Sequence, residues 1–164
     1  MVNDIKKLLE ALPKYPNFMV LHIAKEKTFI KELQDFYKED DLISEYRILT
    51  FSNNTYESLK NFENSFTKVQ LVNHKRPKYN HPSKFYDYLF VTFLPKERDD
   101  FFKKIYIALK NNSPLFIFLN KDSTELAYLL ENELIEKNFV ATNIINLDNY
   151  LVVSARKMHG WSRN

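Results

Sequence analysis

Residues 85–119 read FYDYLFVTFLPKERDDFFKKIYIALKNNSPLFIFL, and this stretch decides the fold. Tyr88 to Leu94 is a continuous apolar run, Glu97 to Lys110 a helical stretch, and Leu115 to Leu119 a second apolar run. Such runs, rich in Phe, Ile, Val and Leu and without polar alternation, suit strands buried on both faces. Between them Phe101, Phe102, Ile105, Ala108 and Leu109 recur at helical spacing, so one helix face covers the sheet. The reading is a β-α-β unit with a right-handed crossover.

The alternation continues in both directions. Upstream, a short helix carries Ile5, Leu8, Leu9 and Leu12, and Phe18 to Ala24 (FMVLHIA) reads as a strand. A helix is expected over Glu26 to Lys38, a strand over Tyr46 to Phe51, a helix over Asn54 to Phe66 and a short strand over Val69 to Val72. His74 to Lys84 (HKRPKYNHPSK) has two prolines, no acidic residue and no period, which predicts a loop. Downstream, Asp122 and Glu125 suggest a capping-box variant opening a helix through Lys137. Val140 to Leu147 and Tyr150 to Ala155 then read as strands joined at Asp148-Asn149, a hairpin signal. Strands alternating with helices predict an α/β three-layer sandwich, Rossmann-like, with a mostly parallel sheet and a C-terminal antiparallel hairpin. Residues 1–155 are expected to form this one domain and residues 156–164 a basic tail.

Composition removes several chemistries. There is no cysteine, which excludes disulfides, thiolate catalysis and cysteine-based zinc sites. No apolar run approaches the ~20 residues that span a bilayer, and the N-terminal stretch lacks a signal-peptide core, so a cytoplasmic protein with no membrane contact is expected. A single glycine, Gly160, leaves the body of the chain without any glycine-rich phosphate-cradling loop. His22 sits inside a strand and is expected to be buried and hydrogen-bonded; the spacing of His74 and His81 matches no common zinc pattern, and no metal is expected. Asp99-Asp100 falls in the first turn of a helix, where negative charge favours the dipole. No nucleophile-base motif is recognisable.

The order of elements resembles the class I S-adenosylmethionine-dependent methyltransferase fold. The resemblance is carried by FYDYLFVTFLP, which looks like that family's fourth strand opening with an Asp, here Asp87. FFKKIYIALKNNSPLFIF looks like its following helix and fifth strand, and LLENELIEKNFVATNII like its last helix and sixth strand. The resemblance implies a glycine-rich turn after the first strand and an acidic residue at the end of the second, holding the cofactor's ribose. At the matching positions this chain has Ala24-Lys25-Glu26-Lys27-Thr28 and Thr50-Phe51-Ser52-Asn53. Asn can replace glycine where left-handed backbone is needed, as at Asn111-Asn112 and Asn138, but not where a side chain would meet a ligand.

The expectation is therefore a degenerate methyltransferase-like fold with no cofactor, serving as a non-catalytic or accessory binding protein. The alternative is a divergent methyltransferase, with S-adenosylmethionine held by Ala24, Lys25, Glu26, Ser52, Asn53 and Asp87. For the binding reading the candidate contacts with a protein or RNA partner are Lys75, Arg76, Lys78, Tyr79 and Lys84 of the loop, with Arg156, Lys157 and Trp161 of the tail. Cations give salt-dependent phosphate affinity, and Tyr79 or Trp161 would stack on an unpaired base.

Overall fold

The computed structural model describes residues 2–14, 16–38, 43–73, 75–76, 79 and 83–158. In chain order the elements are α1 (Val2–Glu10), β1 (Phe18–Ile23), α2 (Ile30–Lys38), β2 (Ile43–Thr50), α3 (Asn53–Leu59), a 3-10 turn (Lys60–Phe62) and β3 (Thr67–Leu71). There follow β4 (Tyr88–Val91), α4 (Arg98–Ala108), β5 (Pro114–Asn120), α5 (Thr124–Glu136), β6 (Phe139–Asn146) and β7 (Tyr150–Lys157). The strands form one sheet in the order β3-β2-β1-β4-β5-β7-β6. β1 to β5 pair in parallel, and β7 runs antiparallel between β5 and β6. The expected α/β class, alternation and closing hairpin are all present.

The period-2 alternation of β1 sorts its side chains between two cores. Phe18, Val20 and Ala24 face a layer built on Ile5 and Leu9 of α1, Ile30, Leu33 and Tyr37 of α2 and Leu59 of α3. Leu21 and Ile23 face the other layer, built on Phe101, Phe102 and Ile105 of α4 and on Leu130 and Leu134 of α5. Each fully buried Leu, Ile or Phe side chain contributes roughly 1.5–3 kcal/mol of burial. α4 and α5 are also tied by a two-pronged ion pair, Arg98 Nε to Glu133 Oε1 at 2.8 Å and Arg98 Nη2 to Oε2 at 2.9 Å.

Because β3 is an edge and β4 pairs with β1, the chain must cross back over two strands between Leu71 and Tyr88. Extended residues reach far enough at ~3.3–3.6 Å each to do this without a helix. Tyr79 of this crossing fills the second core. Its phenol is buried, which pushes its pKa well above the usual value. The Lys104 ammonium lies 5.5 Å from its ring centroid and pairs with Asp100 at 2.6 Å.

Several boundaries differ from expectation for local reasons. α2 begins only at Ile30, because Ala24 to Phe29 form an irregular turn with Phe29 at φ 67. β4 ends at Val91, and Thr92 to Leu94 leave the sheet. α5 opens after Ser123, which makes no side-chain cap hydrogen bond, so the capping box expected of Asp122 and Glu125 does not form. The short polar turn after β6 closes as expected, with Leu147 N–H donating to Tyr150 O at 3.0 Å. Asn112 (φ 65) and Asn138 (φ 69) supply the left-handed residues after α4 and α5. Arg156 and Lys157, expected in a tail, are the last residues of β7.

Candidate functional site

An open α/β sheet presents its ligand crevice at the carboxyl ends of the strands, where the order reverses. Here that point lies between β1 and β4, which run side by side although β2 and β3 intervene in sequence. Ala24 closes β1 onto β2, donating its N–H to Leu49 O at 3.2 Å, and its side chain is buried. Lys25, Glu26 and Lys27 are exposed. Phe29 then turns its ring inward, with centroids 4.9 Å from Phe118 and 5.1 Å from Tyr150. A bulky residue at positive φ costs about 1–2 kcal/mol, and burial of the ring offsets that cost.

The end of β2 carries no carboxylate at residues 50–53. Thr50 donates its hydroxyl to Gln70 O at 3.1 Å. Ser52 caps α3, accepting from Thr55 N–H at 3.2 Å and donating to Thr55 Oγ1 at 2.9 Å. Asn53 opens α3 and is exposed.

The end of β4 is fixed from below by His22. Its Nδ1 lies 2.6 Å from Tyr46 OH and its Nε2 2.8 Å from Thr92 Oγ1. Thr92 donates its own hydroxyl to Ile23 O at 3.3 Å. Nε2–H therefore donates to Thr92, and Nδ1 accepts from Tyr46. Complete burial without a carboxylate partner drives the His22 pKa down to about 3, so the ring is neutral. This is the buried, hydrogen-bonded histidine expected of the strand.

Phe93 follows immediately. Lys25 Nζ stands 5.5 Å from its ring centroid, and the Phe51 ring centroid lies 6.2 Å from it. Phe51 in turn touches Tyr79 at 5.5 Å. Two clefts adjoin this ring. One cleft of about 230 Å³ lies over Lys25, Thr28, Thr92 and Tyr150, and one of about 340 Å³ over Phe51, Pro95, Lys96 and Asp100; Phe93 lines both.

Asp87 lies at the opposite, amino end of β4 and does not join Ala24, Lys25, Glu26, Ser52 and Asn53. It accepts from Met19 N–H at 2.8 Å and from Lys110 Nζ at 3.0 Å, tying β4 to β1 and to the end of α4. It is a structural carboxylate there, remote from the crevice.

The partner residues expected of the loop and tail also separate. Lys75 and Arg76 are exposed beyond β3, at the carboxyl end. Lys84 is exposed at the other end, where its N–H donates to Ile107 O. Tyr79 is buried and has no face to offer a base. Lys157 is buried too, donating to Leu109 O at 2.9 Å beneath the Tyr106 ring. Arg156 is exposed and donates to Asn112 O at 3.0 Å. Lys78 and Trp161 lie outside the described residues. Sequence reasoning missed Lys110 and Phe93: the first looked like an ordinary helix end, and the second was hidden in an apolar run. Among the described residues no group of three or more His, Asp or Glu is placed to hold a metal ion, and no helix is long and apolar enough to cross a membrane.

No family model and no curated protein sequence matches the chain. Solved structures do. The citrinin polyketide synthase CMeT domain superposes with a TM-score of 0.77 at 11% identity, over 94% of this chain but 50% of the other, so the chain spans about half that domain's length. The Haloferax volcanii methyltransferase structure, a complex with the Trm112 methyltransferase activator, gives 0.74 at 9% identity, covering 95% and 89%. An Aquifex aeolicus SAM-dependent methyltransferase gives 0.72 at 15% identity, covering 93% and 89%. With the strand order and the antiparallel β7, these matches establish that the chain has the class I S-adenosylmethionine-dependent methyltransferase fold.

Proposed function

We propose that the chain is a non-catalytic or accessory binding protein built on the methyltransferase fold, contacting a protein or RNA partner through its cationic surface. The observation that carries this reading is the Phe93 ring at the carboxyl end of β4, with Lys25 and Phe51 beside it. Three further features point the same way. The turn after β1 is made of side chains instead of glycine, Phe29 fills the space behind it, and the Ser52 hydroxyl is engaged as a helix cap. With no glycine at residues 24–28 and no carboxylate at residues 50–53, these residues do not fit S-adenosylmethionine in the family's usual mode. Fold alone does not assign activity. The Haloferax volcanii structure is a complex with the Trm112 methyltransferase activator, which supports a protein partner as one form of the reading.

A second reading is favoured by the two clefts on either side of Phe93 and by the SAM-dependent neighbours. In it the chain is a divergent methyltransferase whose cofactor lies along Ala24, Lys25, Glu26, Ser52 and Asn53 once Phe93 swings aside. Calorimetric titration with S-adenosylmethionine and S-adenosylhomocysteine separates the two. A flat trace at millimolar ligand is expected; micromolar binding, lost on a bulky substitution at Ala24, replaces the first reading by the second.

A further inference from the structure

α5 is the outermost helix of its layer: it packs on β6 and β7, and β6 is an edge strand of the sheet. Ala127, Leu130 and Leu134 are its buried side. Glu133, held by Arg98, marks the side turned to α4. At 3.6 residues per turn the opposite flank carries Tyr128, Asn132 and Ile135, and the outer face Glu125, Leu129 and Glu136. No later helix follows α5 among the described residues. Tyr128 is 59% exposed, Ile135 55% and Leu129 47%. These are three of the five large apolar side chains exposed among the described residues, so exposed apolar surface is concentrated on this helix.

The charge on the same helix is one-sided. α5 has four Glu and no Lys or Arg, in a chain of net charge +3. Arg98 engages Glu133. Among the described residues no cation pairs with Glu125, Glu131 or Glu136. Apolar surface left in water favours a partner that covers it. Tyr128 and Ile135 stand seven residues apart with Asn132 between them, the spacing of a ridge on which a second helix packs. The carboxylates around that ridge attract cations and repel phosphates, which disfavours nucleic acid on this face. They also oppose pairing with α5 of a second copy, because like charges set against each other cost free energy.

We infer that this face of α5 docks a basic amphipathic helix of a protein partner. Tyr128, Leu129 and Ile135 take the apolar side of that helix, and Glu125, Glu131 and Glu136 take its cations. The inference rests on the reading of the chain as a binding protein and adds an anionic, protein-binding face to the cationic surface. α5 has 13 residues and is about 20 Å long, so four to five turns of a partner helix cover it.

The test uses the full chain and a fluorescein-labelled peptide of about 18 residues, built of Leu on one helical face and Lys on the other, followed by anisotropy. A peptide of the same composition in scrambled order is the control. The variants are Tyr128→Ser with Ile135→Ser, and Glu125→Gln with Glu136→Gln; all four side chains are exposed, and unchanged melting temperatures verify folding. Micromolar binding of the amphipathic peptide is expected, weakened by salt and lowered about tenfold or more by the Ser pair. The Gln pair removes no apolar contact, so it still tests the charged rim if the Ser pair melts early; a rise in Kd with a shallower salt dependence is expected of it. Equal binding of the scrambled peptide, binding that survives both pairs, or no binding at low salt overturns the inference. Concentration-dependent dimerisation in sedimentation, abolished by the Ser pair, assigns the face to a second copy and overturns it too. The titration with S-adenosylhomocysteine reads the carboxyl end of the sheet: micromolar binding there removes the binding-protein reading, whereas a flat trace beside a failed peptide titration removes only this face.

Discussion

The two ends of the sheet are built from opposite materials. At the carboxyl end, rings close on rings: Phe93 on Phe51, Phe51 on Tyr79, Phe29 on Phe118 and Tyr150, all above a buried neutral His22. At the amino end ions and amides surround an open cleft, and Asp87, the one buried carboxylate among the described residues, is engaged by Met19 N–H and Lys110. An α/β sheet ordinarily offers its carboxyl end to ligands. Here aromatic rings line two clefts at that end, of about 340 and 230 Å³, whereas a carboxylate and a lysine line the cleft of about 270 Å³ at the other. The contrast shows that a fold fixes where a crevice can be, while side chains decide whether it is open.

The sharpest way to break this contrast is to remove His22. His22→Ala leaves a cavity and strands the Tyr46 and Thr92 hydroxyls, and a loss of about 3–5 kcal/mol in urea denaturation is expected. The same ring predicts a pH limb. Its folded pKa, about 3, lies below the 6.5 of the unfolded chain, so its stabilising preference for the neutral form is complete above pH 6.5. Stability then falls as pH drops toward 3, by about 1.4 kcal/mol per unit. A His22→Gln variant should lack that component, and an identical limb in the variant would show that other groups produce it.

Asp87→Ala attacks the amino end. It orphans the Met19 N–H and unpairs Lys110, with an expected loss of about 2–3 kcal/mol, part of which Asp87→Asn should restore. A loss as small as that of a surface substitution would contradict the structural role assigned to Asp87. Phe93→Ala sharpens the contrast most directly for function. About 1–2 kcal/mol of stability should be lost, and the S-adenosylhomocysteine titration should stay flat, because the turn after β1 keeps its side chains. A micromolar isotherm for this variant would show that one ring alone shut the crevice. The smallest effect concerns the left-handed turn after α5. Asn138→Gly should change stability by no more than about 0.5 kcal/mol, whereas Asn138→Val should cost about 1–2 kcal/mol.

Much of the fold was legible because periodicity and burial point the same way. The apolar runs at β4 and β5 and the stripe of α4 between them are buried as the pattern required. Boundaries were less legible where a single residue broke the pattern. Phe93 and Leu94 read as strand because composition cannot distinguish a ring inside a sheet from one folded over its end. Phe29 read as helix because its conformation is set by contacts with Phe118 and Tyr150, far away in sequence. The candidate site was harder still. Ser52 had the right chemistry for a ribose, and only the geometry of α3 reveals the cap it makes instead. Tyr79 sits in a loop with no period to announce its burial, and the meeting of Lys110 and Arg156 at one cleft depends on strand order rather than on spacing.

One glycine among 164 residues has a consequence for the chain before it folds. Among the described residues left-handed backbone falls instead to Asn17, Phe29, Lys84, Asn112, Asn138 and Ala141. Each is a small, local strain in the folded state. The compensation is diffuse and belongs to the denatured ensemble: a non-glycine residue samples fewer conformations, and where its native geometry is unstrained the exchange favours folding by about 0.4–1 kcal/mol. A chain nearly without glycine therefore starts its collapse from a stiffer coil, with less conformational entropy to surrender.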